Sequence, residues 1–360
     1  MTTSKDIEIF LNRSGWQNFE RTQIKGDASS RRYERVSSKN QNAILMITPK
    51  ANPKNYEIEN KKTNNRERIG YNSLARLAGN RLEAFICVSN ELSVRGFSAP
   101  KILASDLDMG LLLLEDLGDN LFFKFIQNNK NQEKKLYYAA VDCLAAIYRC
   151  TFSRKMNFKN SYWEVKEYDD LAMLTEVDLL LDWYAKDLGH LIDNQARQEW
   201  HSIWKKLFVT FKSAASGLGL RDFHAENIFW LSERQEVSKI GLIDFQDALF
   251  VHPSYDLVSL VEDARRDVSP ELEEILIDRF CQKAGIKNDE KFQSAYAIMG
   301  AQRNSKILGI FVRLAKRDKK LQYIDLIPRV KKHLMRNLNT PACYELRQWL
   351  EQHIPEIFYD

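Results

Sequence analysis

An α+β chain of two unequal lobes, a small antiparallel-sheet lobe followed by a larger, mainly helical one, is predicted by three observations. The chain has 360 residues, more than one compact core accommodates, so two lobes are expected. Residues 1–118 hold short runs rich in alternating apolar residues, separated by Gly, Pro and Asn, which is the pattern of strands and turns. From about residue 119 the apolar residues recur at helical spacing. The expected units are therefore 1–118 and 119–360, with a hinge at about 115–118.

Residues 4–14 read as a short helix. TQIKGD, SRRYERVSS and NAILMITP follow as three short strands, with GDASS as the turn between the first two. Residues 50–70 are polar, carry two Asn-rich stretches, and read as an exposed insertion. Leu74, Leu77, Phe85, Val88 and Leu92 give residues 71–95 a helical period that ends at GFSAP, Gly first and Pro after. KILASD and GLLLLEDLG form a strand pair around the tight DLDMG turn, and Asp116-Leu117-Gly118 breaks the pattern. LYYAAVDCLAAIYRCTF is a strongly amphipathic helix, followed by LLLDWYAKDLGHLI and ARQEWHSIWKKLFVTFKSAA. Two strand-like runs, IFWL at 228–231 and KIGLIDF at 239–245, interrupt the helices, and four or more helices complete the chain. There is no internal repeat.

Composition limits the function classes. Hydrophobic residues make up 44% and charged residues 28%, with 19 Phe, 14 Tyr and 7 Trp, enough bulk to exclude global disorder. No apolar run approaches the ~20 residues of a membrane span, and the N-terminus lacks the apolar stretch of a signal peptide. A net charge of +4 does not suggest a nucleic-acid binder. The five cysteines, Cys87, Cys143, Cys150, Cys281 and Cys343, are scattered without a CxxC pair, so neither a disulfide framework nor a zinc site is indicated. A cytoplasmic monomer, without nucleic-acid or membrane partners, is the expectation. Residues 301–336 carry eleven Lys/Arg against only Asp318 and Asp325, which reads as a solvated face or as part of a site for an anionic substrate.

The chemistry is concentrated in Leu220-Arg221-Asp222-Phe223-His224-Ala225-Glu226-Asn227, then IFWL, a turn, and a strand ending Ile243-Asp244-Phe245. Asp222 and Asn227 are five apart, and Asp244 comes 22 residues after Asp222, beyond one hairpin. This is the spacing of a kinase catalytic loop and its later metal-binding Asp. A carboxylate, Asp222, accepts or orients the proton of the attacking hydroxyl, while Asn227 and Asp244 supply the oxygen ligands that Mg²⁺ prefers. With the strand-rich first lobe, this predicts a bilobal protein-kinase-like fold. His224 has no second His or Cys at metal spacing and reads as a loop-ordering or substrate-contacting residue. In the GDASS turn, Gly26, Ser29 and Ser30 let backbone N–H groups approach phosphate oxygens. Arg31 and Arg32 follow as the nearest cations. On a strand they face opposite ways, so only one of them reaches a nucleotide.

The segment LRDFHAENIFWL…GLIDFQDALFVHPSYDLVSLVEDARRDV resembles the aminoglycoside phosphotransferase/choline kinase superfamily, with Asp222, His224 and Asn227 in register with its H-G-D-L-H-P-G-N loop. GDASSRRYERV, AILMITP, LLLLEDLGDN, DWY (182–184) and QRNSKILGIFVRLAKRD extend the resemblance over about residues 25–335. Within the superfamily the chain is most similar to the anomeric amino-sugar kinases of bacterial cell-wall recycling, which phosphorylate N-acetylmuramate and N-acetylglucosamine at C1. The resemblance implies ATP and Mg²⁺ as cofactors and a small amino-sugar substrate. It also makes Glu115-Asp116-Leu117 the lobe connector, with the backbone of Glu115 and Leu117 against adenine, and Asp256 a support for the catalytic region.

Two departures stand out. Leu220 replaces the loop's His, which is mainly architectural in the family. Met46 stands where the third strand should carry an ATP-binding Lys, which leaves the usual Lys–Glu pair unassigned between Glu83 and Glu91. On the helix QRNSKILGIFVRL, Arg303 falls about 40° from Ile307 and Lys306 about 40° from Ile310. Both cations therefore border the buried face, as an edge-of-pocket contact or as snorkelling side chains. The rival readings are a kinase for an aminoglycoside or choline-like amine, against which the basic 301–336 stretch argues, and a silent kinase-fold binding protein, prompted by Met46.

Overall fold

The computed structural model describes residues 2–24, 31–39, 41–49, 66, 69–212 and 216–359. Gly26, Ser29 and Ser30, and nearly all of 50–70, lie outside the described residues. Helix α1 (Ser4–Arg13) starts at Thr3, whose hydroxyl accepts the Asp6 N–H while the Asp6 carboxylate accepts from Thr3 N–H, a capping box. Five strands follow: β1 (Glu20–Ile24), β2 (Arg32–Ser38), β3 (Gln41–Ile47), β4 (Ile102–Asp106) and β5 (Leu111–Glu115). They form one antiparallel sheet in the order β1-β2-β3-β5-β4. Strand alternation divides its residues between two cores. Val36, Ala43, Leu45, Ile47, Leu111 and Leu113 pack against Ile7, Phe10, Leu11 and Trp16. Met46, Leu112 and Leu114 face the other way, into the main core. The β4–β5 turn needs glycine at Gly110, where φ is +73° and a Cβ would lie 2.3 Å from Thr48 O.

The single helix expected over 71–95 is corrected. A four-residue turn α2 (Tyr71–Leu74) is separated from α3 (Leu82–Val94) by a loop with Arg76 and Gly79 in the left-handed region, φ 56° and 59°. The apolar period carries through this loop because Leu77 and Ala78 also need burial, but the backbone there turns to make contacts with the helical lobe.

That lobe comprises α4 (Phe122–Asn128), α5 (Glu133–Arg149), a hairpin β6 (Lys155–Phe158) and β7 (Ser161–Glu164), α6 (Asp170–Leu179) and α7 (Asn194–Lys212). Residues Leu180–Ala185 continue α6 as a π-helical turn. Beyond these come β8 (Gly217–Gly219), β9 (Ile228–Trp230), β10 (Ile240–Leu242), β11 (Leu249–Val251), α8 (Ser254–Val261), α9 (Pro270–Ala284), α10 (Glu290–Lys316), α11 (Ile327–Leu338) and α12 (Tyr344–His353). The 27-residue α10 is the central helix, packed against α6, its π turn, α8 and α11. A Cβ on Gly309 would lie 2.2 Å from Leu179 O, so glycine is what permits this approach. Among the described residues, no helix is long and apolar enough to cross a membrane.

Candidate active site

Two short strand pairs build the site. β9 and β10 form an antiparallel hairpin with Ile228 opposite Leu242. β8 pairs with β11, Gly219 opposite Leu249. The loop 220–227 runs from β8 to β9, and the loop 243–248 runs from β10 to β11, so both emerge at the same edge. Ile243 N–H donates to Asn227 O at 3.1 Å and locks the two loops together. Asp222, Asn227 and Asp244 are thereby brought to one place.

The backbone there is unusual. Arg221 and Asp244 have φ of 78° and 60°, a left-handed conformation that costs a non-glycine residue roughly 1–3 kcal/mol. Arg221 is held in it from several sides. Asp256 accepts both Leu220 N–H (2.5 Å) and Arg221 N–H (2.9 Å). The buried guanidinium donates to Ala75 O (3.0 Å), pairs with Glu176 and stacks on Tyr168. On the other side of the loop, Asp263 accepts Ala225 N–H at 3.1 Å. His224 is buried, and its Nδ1 accepts Glu226 N–H at 3.3 Å. Burial pushes its imidazole down to about 4, so it is neutral at physiological pH.

The carboxylates differ in charge environment. Burial tends to raise Asp222, but Lys306, His224, Arg303 and Arg221 outweigh it and hold the carboxyl below its usual range. Asp244, with 41% of its side chain exposed, is pushed up to about 6, first by desolvation and then by the charge of Asp222, with Gln246 and Arg31 opposing. Gln246 Nε2 donates to Asp244 Oδ1 at 2.7 Å. Asn227 donates through Nδ2 to Asp222 O at 3.1 Å, leaving Oδ1 as its oxygen donor. Two neighbouring carboxylates, one destabilised by the other, and a carboxamide oxygen are a donor set that suits a hard divalent cation.

Arg31 and Arg32 are separated as alternation requires. The Arg31 side chain is 7% exposed, donates to Gly79 O at 2.7 Å and lies 3.9 Å from Asp244 Oδ1. Arg32 is 58% exposed and lies 3.8 Å from Glu34. Met46 is fully buried. Glu91 pairs with Arg95 on its own helix at 2.5 Å. Glu83 and Glu91 flank Cys87 on the side of α3 that meets β6 and β7. Among the described residues neither pairs with a cation of the sheet. At the connector, the Glu115 carboxylate accepts from Arg234 at 2.7 Å and from Lys101 N–H at 3.2 Å. Asp116 pairs with Arg35 at 2.7 Å, and Leu117 packs over Gly241.

Arg303 and Lys306 are not at the edge of an apolar face. They are 4% and 5% exposed, because α10 is covered on nearly every side. Lys306 donates to Tyr255 OH at 2.7 Å and stands 3.5 Å from Glu176. Glu176, Tyr168, Gln302 and Tyr255 therefore form a buried polar floor that sequence reasoning missed. The one available signal was a pair of acids, Glu176 and Asp178, inside the otherwise largely apolar run AMLTEVDLLL.

A family model described as "Phosphotransferase enzyme family" matches residues 20–291. The chain belongs to that family. This phosphotransferase is 38% identical over 359 residues to an N-acetylmuramate/N-acetylglucosamine kinase of Caulobacter vibrioides, with 99% of each chain covered. A relative with the same activity name from Neisseria meningitidis is 32% identical over 66% of this chain and 70% of its own. Among solved structures, a choline/ethanolamine kinase family protein from Mesorhizobium loti matches with a TM-score of 0.57 at 12% identity, covering 98% of this chain and 100% of that one. A choline kinase from Streptococcus pneumoniae matches with a TM-score of 0.55 at 15% identity, covering 91% and 98%. The phosphotransferase therefore has the bilobal protein-kinase-like fold.

Proposed function

We propose that this phosphotransferase is an ATP-dependent kinase that phosphorylates the anomeric hydroxyl of N-acetylmuramate and N-acetylglucosamine in peptidoglycan recycling. The observation that carries this reading is the convergence of Asp222, Asn227 and Asp244 on one edge, in a chain aligned over its full length with a kinase of these sugars. Asp222, kept ionised by the cations around it, takes the proton of the acceptor hydroxyl. An anomeric hydroxyl is more acidic than an ordinary alcohol, which eases that transfer. Asn227 Oδ1 and the Asp244 carboxylate hold Mg²⁺. When bound, the ion neutralises charge on the nucleotide phosphates.

Arg31, beside Asp244, brings to the phosphates the positive charge that Met46 cannot. Arg32, on the other face of the strand, is left out of this role. Gly26, Ser29 and Ser30 offer phosphate-binding N–H groups, and the backbone of Glu115 and Leu117 receives adenine. His224 orders the loop between base and metal ligands, and Arg303 and Lys306 belong to the acceptor side. The lobe boundary falls at 118/119, within the connector that Arg35 ties to the sheet through Asp116 and Asp119. A cytoplasmic monomer without nucleic-acid partners is consistent with the near-balanced charge.

The test is ADP release by purified protein with Mg-ATP and a panel of N-acetylmuramate, N-acetylglucosamine, choline and kanamycin. Turnover with the two sugars is expected. Turnover with choline or kanamycin alone would replace the amino-sugar reading by an amine-acceptor one.

A further inference from the structure

The two cations that one turn of α10 carries, Arg303 and Lys306, have different surroundings. Lys306 is engaged: it donates to Tyr255 OH and stands beside Glu176. Arg303 is buried to the same degree, yet its Nε and Nη1 are out of solvent contact and have no hydrogen-bond partner among the described residues. A buried guanidinium N–H without an acceptor is costly, so its position calls for a partner that arrives with a ligand. The nearby acids do not fill that role. Asp256 is committed to the N–H groups of Leu220 and Arg221, and Asp222 is the proposed base. Arg303 makes no ion pair with either, although its charge is felt by Asp222, His224 and Asp256.

The ligand group that fits can be narrowed. The nucleotide phosphates already have a cation in Arg31, which reaches Asp244 from the sheet lobe. Arg303 belongs to the helical lobe, on α10, and its charge acts on Asp222, His224 and Asp256. A guanidinium is a planar, always charged fork that favours a carboxylate over a neutral oxygen. Of the two proposed sugars, only N-acetylmuramate carries a carboxylate, on its lactyl ether. We infer that Arg303 is the acceptor-selecting cation of this site: it takes the carboxylate of an acidic amino sugar, while Lys306 stays with Glu176 and Tyr255 and holds the floor. This inference rests on the amino-sugar reading above.

Wild-type enzyme is first assayed for ADP release with both sugars. Absence of turnover with either overturns the amino-sugar reading, and this inference falls with it. Given turnover, Arg303→Ala is expected to raise KM for N-acetylmuramate by about 5- to 150-fold, the range for one charged hydrogen bond. KM for N-acetylglucosamine and for Mg-ATP should rise far less, so the ratio of the two sugar KM values shifts, and any fall in kcat should be common to both sugars because Arg303 also acts on Asp222. An equal rise in KM for both sugars would assign Arg303 to the loop and overturn the inference. Should Arg303→Ala not fold, the wild-type enzyme decides with N-acetylmuramate against its methyl ester. A higher KM for the uncharged ester supports the carboxylate contact, and equal KM values overturn it.

Discussion

Asp222 and Asp244 are chemically identical side chains driven in opposite directions by their neighbours. Cations of the helical lobe hold Asp222 below the usual range. Desolvation and the charge of Asp222 push Asp244 up. In the proposed roles, such divergence keeps Asp222 ionised and leaves Asp244 as the group that gains most from a bound cation. Asp222→Asn should keep the fold and lose ~10²–10⁴-fold in kcat, read by steady-state ADP release on a verified acceptor. Near-full activity would remove Asp222 as the base. The arginine pair gives a second residue-scale prediction. Arg31→Ala should weaken Mg-ATP binding by about 5- to 150-fold in calorimetry, and Arg32→Ala should leave it within about twofold, because only Arg31 turns toward Asp244. Equal tight binding in both variants would leave phosphate recognition to backbone and metal alone.

At the scale of elements, α10 determines how closely the helical lobe packs. Gly309 lies against the end of α6, and a methyl group there would meet Leu179 O. Since the obstacle is backbone, Gly309→Ala should destabilise the protein by about 1–3 kcal/mol, seen as a lower Tm. A Tm equal to wild type would show that the packing can open without cost. Helix α9 holds an acid whose ionisation opposes folding. Glu273 on α9 accepts from Tyr296 OH at 3.2 Å and pairs with Arg336 at 2.6 Å. Even so, burial and the neighbouring Glu262 push it up to about 7 from an ordinary 4.5. Its folded value exceeds its unfolded one, so its contribution is full below about pH 4.5 and is lost as pH rises through 7. Stability should therefore fall by about 1–3 kcal/mol between pH 5 and 8 through this group. Glu273→Gln should flatten that part of the Tm–pH profile, and an unchanged slope would exclude Glu273 as its source.

Across the whole molecule, the loop between α2 and α3 joins the lobes. Gly79 O accepts from Arg31 of the sheet lobe, while Ala78 N–H donates to Asp247 at 2.6 Å and Ala75 O accepts from Arg221. Asp169 pairs with Arg66 and Arg76 at 2.6 and 2.5 Å and also caps α6 through Ala172 N–H at 2.9 Å. The Phe85–Phe245 stack, at 4.9 Å, is a further link between α3 and the loop after Asp244. Asp169→Ala should raise hydrogen exchange both in the first turn of α6 and in residues 69–78, because one carboxylate serves both. Exchange that rises in α6 alone would show that the loop is held without Asp169.

The candidate site could be read from the sequence because its residues are local. Asp222, Asn227 and Asp244 lie within 23 residues around one hairpin, and a hairpin folds on itself wherever it is placed. The lobes were legible from the change of apolar period, and the absent lysine from the identity of Met46. The tertiary structure alone decided which arginine reaches Asp244, since strand parity leaves two choices and only the packed sheet selects one. It also placed Glu83 and Glu91 against the hairpin β6–β7, whose few residues carry too weak an alternation to announce it. The three-residue β8 and β11 had no readable period at all, yet their pairing aligns the loops 220–227 and 243–248. Helical angles put Arg303 and Lys306 beside the apolar face of one helix, which describes a helix with a wet side. α10 has almost none, so both cations are buried, one against Glu176 and Tyr255 and one with its Nε and Nη1 unpartnered among the described residues. Periodicity reports a single element, whereas burial is a property of everything packed around it.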